Sequence, residues 1–136
     1  MSSNGYVKFT WFLLRIVSGF TFFQSGAVKL FGWYGGMPAG QPPIQLLSQV
    51  GIGAILEVVG GIAIVLGLAT RPVAFLLSGE MAVAYWQFHA PGGTWPVENG
   101  GGPAVLYCFI FFFMSAYGAG DWSIDARLKR HHAAKE

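Results

Sequence analysis

Charge is scarce in this sequence. Of its 136 residues only 10% are Asp, Glu, Lys or Arg, against about 25% in a typical soluble domain. Hydrophobic residues make up 54% and aromatic residues 16%. A chain this short has one small core, and runs such as residues 62–68 and 106–114 would leave more apolar surface than that core can hide from water. The shortage of charge argues against a soluble fold.

Cysteine is almost missing. Cys108 stands alone in an apolar run, so the chain cannot form an internal disulfide, a C-x-x-C redox pair or a cysteine-ligated zinc or iron–sulfur site. Histidine is nearly as rare: His131 and His132 share a charged tail, and only His89 is left for an apolar segment. A bis-histidine haem site needs two. No phosphate-binding glycine loop, dinucleotide fingerprint, nucleophile elbow or H-E-x-x-H zinc motif occurs, and Gly100-Gly101-Gly102 has no strand before it and reads as loop. No metal site and no built-in cofactor are expected.

What is present is apolar sequence in four blocks, at about residues 7–31, 50–68, 72–89 and 103–117. The first is about 37 Å long as a helix, enough to span a bilayer with tilt; the last is near the lower limit. Gly, Pro and polar residues at 35–43 and 90–102 separate them as loops, with residues 44–49 as a possible short interfacial helix. The predicted fold is all-α: one four-span integral membrane helix bundle over residues 1–136.

Net charge is only +2, but its placement is uneven. Lys8 lies at the very start of the first block, Arg71 lies in the short connection between the second and third, and Arg127, Lys129, Arg130 and Lys135 crowd the tail. Residues 34–49 and 90–102 contain no Lys or Arg. Under the positive-inside rule both termini and the Thr70-Arg71 turn are cytoplasmic and the two Gly/Pro-rich loops lie outside, which makes this a multi-pass membrane protein with an even number of spans. The basic tail is short and mixed with Asp125 and Glu136, which fits anionic lipid rather than nucleic acid as its partner.

Four charged residues interrupt the apolar blocks: Arg15, Lys29, Glu57 and Glu80. In hydrocarbon each costs roughly 2.5–3.5 kcal/mol on the insertion scale, so each is expected to face protein or water and to find a partner. Counting rise per residue puts Arg15, Glu57 and Glu80 at roughly 12–17 Å from the cytoplasmic boundary, which predicts that one guanidinium meets two carboxylates. Such a cluster is either a structural lock, a proton relay or a ligand-binding centre. A second group is expected near the outer surface from Lys29, Gln24, His89, Trp95, Glu98 and Asn99. Glu80 and His89, nine residues apart, lie half a turn out of phase on a straight helix. In the first block Arg15, Gly19, Phe22, Gly26 and Lys29 share one face, a small-residue stripe suited to close helix packing.

Arg15 with Gly19, the run from Gly26 to Gly32, Glu57 with Gly60-Gly61, the run from Leu66 to Arg71, His89, Asn99-Gly100-Gly101, Leu106-Tyr107 and the run from Gly118 to Asp125 together resemble the DoxX family of small bacterial membrane proteins. The resemblance implies a four-helix protein of the inner membrane, some of whose relatives belong to thiosulfate:quinone oxidoreductase or to other membrane redox assemblies. It also implies that Arg15, Lys29, Glu57, Arg71, His89 and Asn99 are the family's polar positions. Many relatives carry an acid directly after Asn-Gly-Gly, where this chain has Gly102-Pro103.

Three functions are expected from these readings. The first is a membrane subunit of a quinone-linked redox or sulfur-handling system, with quinone as ligand and Arg15, Lys29, Glu57, Glu80, His89 and Asn99 as ligand or proton-relay groups. The second is a non-catalytic scaffold for redox partner proteins or further copies of the chain. The third is a small transporter or proton-conducting module.

Overall fold

The computed structural model describes residues 3–136, and every regular element among them is helical. The order is α1 (Ser3–Phe31), α2 (Gln49–Leu66), α3 (Thr70–Ala84), a π-helical turn (Tyr85–His89), a 3-10 turn (Ala90–Gly92), α4 (Pro96–Asn99), α5 (Gly102–Tyr117) and α6 (Ile124–Ala133). Helices therefore occupy all four expected apolar blocks. By length and composition α2 is the helix among the described residues that is long and apolar enough to cross a membrane, and α5 is a shorter apolar helix.

The chain divides into two compact units. One comprises residues 1–69 and 119–136 and holds α1, α2 and α6; the other comprises residues 70–118 and holds α3, α4 and α5.

In the first unit α1 and α2 form an antiparallel hairpin. Its seam is built from small residues. A Cβ on Gly26 would sit 2.6 Å from the Ala54 carbonyl oxygen, and one on Gly61 would sit 2.7 Å from the Phe23 nitrogen. Side chains there would push the backbones apart, so the glycines set the interaxial distance. Trp11, Arg15, Ser18, Gly19, Phe22, Gly26 and Ala27 form the buried stripe of α1, at helical spacing. Leu13, Leu14, Val17 and Phe20 on other faces of the same helix are 42–57% exposed.

Residues 44–48 are not helical. Ser48 instead closes a turn by donating from Oγ to the Gln45 carbonyl at 2.6 Å, and caps α2 by accepting from Gly51 N at 3.1 Å. α2 ends at Leu66, two residues before the expected limit, because Gly67 takes a left-handed conformation at φ 65°.

In the second unit α3 and α5 pair, and Ser78 donates to the Cys108 carbonyl at 2.8 Å. Cys108 is thus a packing residue of this hairpin.

Replacing Gly26 by Val is expected to destabilise the first unit by about 1–3 kcal/mol through overpacking. Denaturant titration of the purified protein in detergent measures this; unaltered stability would show that the seam is not close-packed.

Candidate functional site

The last carbonyls of a helix have no intrahelical donor. At the end of α2 the Gly67 turn supplies some, with Gly67 N donating to Ile64 O at 3.1 Å and Leu68 N to Ala63 O at 2.9 Å. Arg15 supplies others. Its Nη1 donates to Ile64 O at 3.0 Å and to Val65 O at 2.9 Å, and its Nη2 donates to Trp122 O at 2.6 Å. The guanidinium is 1% exposed and lies 5.6 Å from the Phe12 ring centroid. Its positive charge also faces the negative end of the α2 dipole.

The segment after α5 completes this assembly. Asp125 N donates to Gly67 O at 2.9 Å, and Asp125 Oδ1 accepts from Ala69 N at 2.7 Å. Ser123 caps α6 by accepting from Ala126 N at 3.2 Å, while its own hydroxyl donates to Gly120 O at 2.6 Å. A Cβ on Gly67 would collide with Arg15 Nη1 and Ser123 Cβ, so glycine is required there by space as well as by φ. Lys8 pairs with Asp121 at 2.7 Å; that hydrogen bond and the Lys8 charge hold the Asp121 carboxyl below its usual range.

Arg15 therefore does not meet Glu57. Its guanidinium sits at Ile64 and Val65, seven and eight positions along α2 and roughly 10 Å of helix rise away. Glu80 belongs to the other unit.

Arg71 repeats the device in the second unit. It donates through Nη1 to Ser115 O at 3.5 Å and to Ala116 O, and through Nη2 to Tyr117 O at 3.3 Å. It caps α5.

Glu57 is paired with Lys29, which the sequence places with the outer group. Lys29 Nζ donates to both carboxylate oxygens, at 2.7 and 2.8 Å. The carboxylate side chain is 4% exposed and the lysine side chain 27%. Helical side chains lean toward their own N-terminus. In an antiparallel hairpin, Lys29 near the end of α1 and Glu57 in the first half of α2 lean toward each other, which closes the axial gap between them.

At the loop end of the second unit the π turn carries Tyr85 and His89. Such a turn takes in one extra residue and shifts the residues after it by about 100°, so Glu80 and His89 come within about a quarter turn of the same phase. One carboxylate oxygen of Glu80 is buried. His89 Nδ1 lies 3.3 Å from the Asn99 carbonyl oxygen. Asn99 is occupied throughout: Nδ2 donates to Tyr85 Oη at 3.3 Å and to Gly93 O at 3.1 Å, and Oδ1 accepts from Gly101 N at 2.8 Å. It organises the loop. Glu98 Oε2 accepts from Trp95 N at 3.3 Å, ordering the start of α4. Gln24 has no place in these networks, and Lys29 belongs to the other unit.

Tyr85, Trp122, Ser123 and Asp125 were not among the expected site residues. Ser123 before Ile124 and Asp125 is a helix-start signal in what reads otherwise as a solvated tail. Tyr85 stands four residues before His89, hence on its face. No group of three or more His, Cys, Asp or Glu side chains suited to a metal ion occurs among the described residues.

The DoxX family model matches residues 10–90, which include Arg15, Lys29, Glu57, Arg71, Glu80 and His89 but not Asn99 or the segment that binds Arg15. An uncharacterized protein of Haemophilus influenzae is 38% identical over 119 residues, covering 82% of this chain and 85% of its own length. A second uncharacterized protein of that organism is 26% identical over 131 residues, covering 90% and 85%. No solved structure matches significantly.

Arg15→Ala strips donors from Val65 and Trp122 and is expected to cost about 2–6 kcal/mol, at about 1–3 kcal/mol per orphaned group. Arg15→Lys should recover part of it, because one ammonium cannot span all three carbonyls. Unfolding in detergent measures both. For the Asp121 pair the folded-state pKa is depressed, so its stabilisation is present above the unfolded value and is lost as pH falls through the folded one. Asp121→Asn should remove that stabilisation at neutral pH and change nothing at the acid end, which flattens the acid limb of a stability–pH curve.

Proposed function

This chain belongs to the DoxX family of membrane proteins, and from that premise we propose a four-span protein of the bacterial inner membrane that serves as the membrane subunit of a quinone-linked redox or sulfur-handling system. Both termini and the Arg71 turn lie in the cytoplasm, and the loops at 32–48 and 90–101 lie outside. The pattern of exposure supports a lipid setting. Val59, Phe75, Leu106 and Phe109 are 61–66% exposed while Arg15 and Glu57 are 1% and 3% exposed, the reverse of what water selects and the arrangement that lipid demands.

The Lys29–Glu57 pair carries the ligand assignment. An ammonium has three N–H donors, and two are spent on Glu57. The third, on a side chain 27% exposed, is available to an acceptor oxygen such as a quinone carbonyl. Glu57 then offers a place for the proton that accompanies reduction. Phe23, Phe31 and Trp33, with Trp33 centred 6.2 Å and 5.0 Å from the two Phe rings, add aromatic surface close by in the chain for a flat ring.

A scaffold is the second reading, favoured by the arginines: Arg15 and Arg71 both act on helix ends. In that case the Lys29–Glu57 pair only locks its hairpin.

One experiment separates the two. Quinone titration of the protein in lipid nanodiscs should give saturable binding, weakened about tenfold, or 1.4 kcal/mol, by Glu57→Gln with helicity intact. Equal affinity in the folded variant rejects the redox reading. Absence of binding to either protein, with loss of stability in the variant, supports the scaffold.

A further inference from the structure

We propose that Tyr85 and His89 form a neutral hydroxyl-recognition pair that binds an uncharged phenol-class compound at the loop end of the second unit. The argument starts from Asn99. A carbonyl oxygen can only accept, so the 3.3 Å contact between His89 Nδ1 and the Asn99 carbonyl places the ring hydrogen on Nδ1. In the neutral form of that tautomer Nε2 is a bare acceptor. The Asn99 side-chain amide donates to Tyr85 Oη, so the phenolic oxygen is an acceptor there and its own proton is left to donate elsewhere. One residue thus fixes an acceptor on His89 and a donor on Tyr85.

The two rings are nearly parallel, 26° apart with centroids 6.5 Å from each other. Gly101 holds the tyrosine in place, since the Tyr85 ring fills the space a Cβ there would need, at 2.7 Å. Both side chains are partly exposed.

A donor and an acceptor on two neighbouring rings are complementary to a hydroxyl group, which gives one hydrogen bond and takes one. A carboxylate has no proton for Nε2, and an ammonium has no lone pair for the tyrosine. The surroundings select the rest of the molecule. Trp86, Phe88 and Trp95 are 71%, 57% and 63% exposed on the same stretch of chain, aromatic surface suited to a flat ring. No bond is made or broken: the ligand O–H donates to Nε2, and its oxygen accepts from Tyr85. The assignment does not depend on the redox reading.

The test uses the full chain in nanodiscs with ¹³C,¹⁵N-labelled His and Tyr, because ring signals of residues 85 and 89 separate site binding from simple partition into lipid. The wild type should show the Nδ1–H tautomer, and 4-propylphenol should shift the His89 and Tyr85 signals saturably. Its methyl ether, which has no proton to give, should bind at least about tenfold more weakly, since a site built for a hydroxyl leaves its polar groups unpaired with the ether. In His89→Phe the phenol and the ether should bind alike, read at Tyr85; in Tyr85→Phe the phenol should weaken but keep its advantage. The Nε2–H tautomer, equal affinity for phenol and ether, or no saturable shift overturns the proposal, and the tautomer is readable even if a variant fails to fold.

Discussion

A helix that ends in apolar surroundings leaves carbonyl oxygens with nothing to accept from, and each costs a few kcal/mol if water cannot reach it. Here an arginine from the neighbouring helix answers that need twice: Arg15 at the end of α2 and Arg71 at the end of α5. Arginine suits the task because a planar fork of five donors, charged at every relevant pH, can serve several carbonyls at once. The carbonyls at a helix C-terminus also carry partial negative charge, so no separate counter-ion is needed. The polar turn of Gly67, the Asp125 clamp and the Trp122 carbonyl are then consequences of bringing enough acceptors to one guanidinium.

The small-residue seam makes this geometry possible. Gly19, Gly26 and Gly61 let α1 and α2 approach until any Cβ would clash, and at that separation Arg15 and Lys29 reach the facing helix without extending into lipid. Lysine suits position 29 for a different reason. A compact ammonium can sit between both oxygens of one carboxylate and still keep a donor in reserve, whereas the planar guanidinium of Arg15 spreads its donors over carbonyls of two separate segments.

Much of this was legible in the sequence. The apolar blocks locate the helices because backbone satisfaction and apolar length are both local properties, and the charged interruptions correctly identify Arg15 and Glu57 as buried. Partner choice was not legible in the same way. Counting rise per residue locates Cα atoms, but Arg15 and Lys29 act more than a helical turn away through long side chains that lean along the axis. The phase of His89 was hidden for a related reason: nothing in Tyr85-Trp86-Gln87-Phe88-His89 announces a π turn, and one inserted residue rotates every later position. The tail helix had a local signal in Ser123, but its docking depends on Gly67, more than fifty residues earlier.

The two hairpins share a plan and differ in chemistry. Each places an arginine and the close of its second helix at one end, and a Gly- and Pro-bearing loop with its remaining polar groups at the other. At the arginine ends the donors are consumed by backbone, which leaves little there for a ligand. At the loop ends the groups are only partly consumed: Lys29 keeps an N–H, and Tyr85 and His89 keep one donor and one acceptor between them. Hydrogen-bonding capacity left over after folding has satisfied itself is what a ligand can use, because a group already paired must be unpaired at a cost before it can bind anything else. By that criterion the arginines build the protein, and the loop ends are where hydrogen-bonding capacity remains.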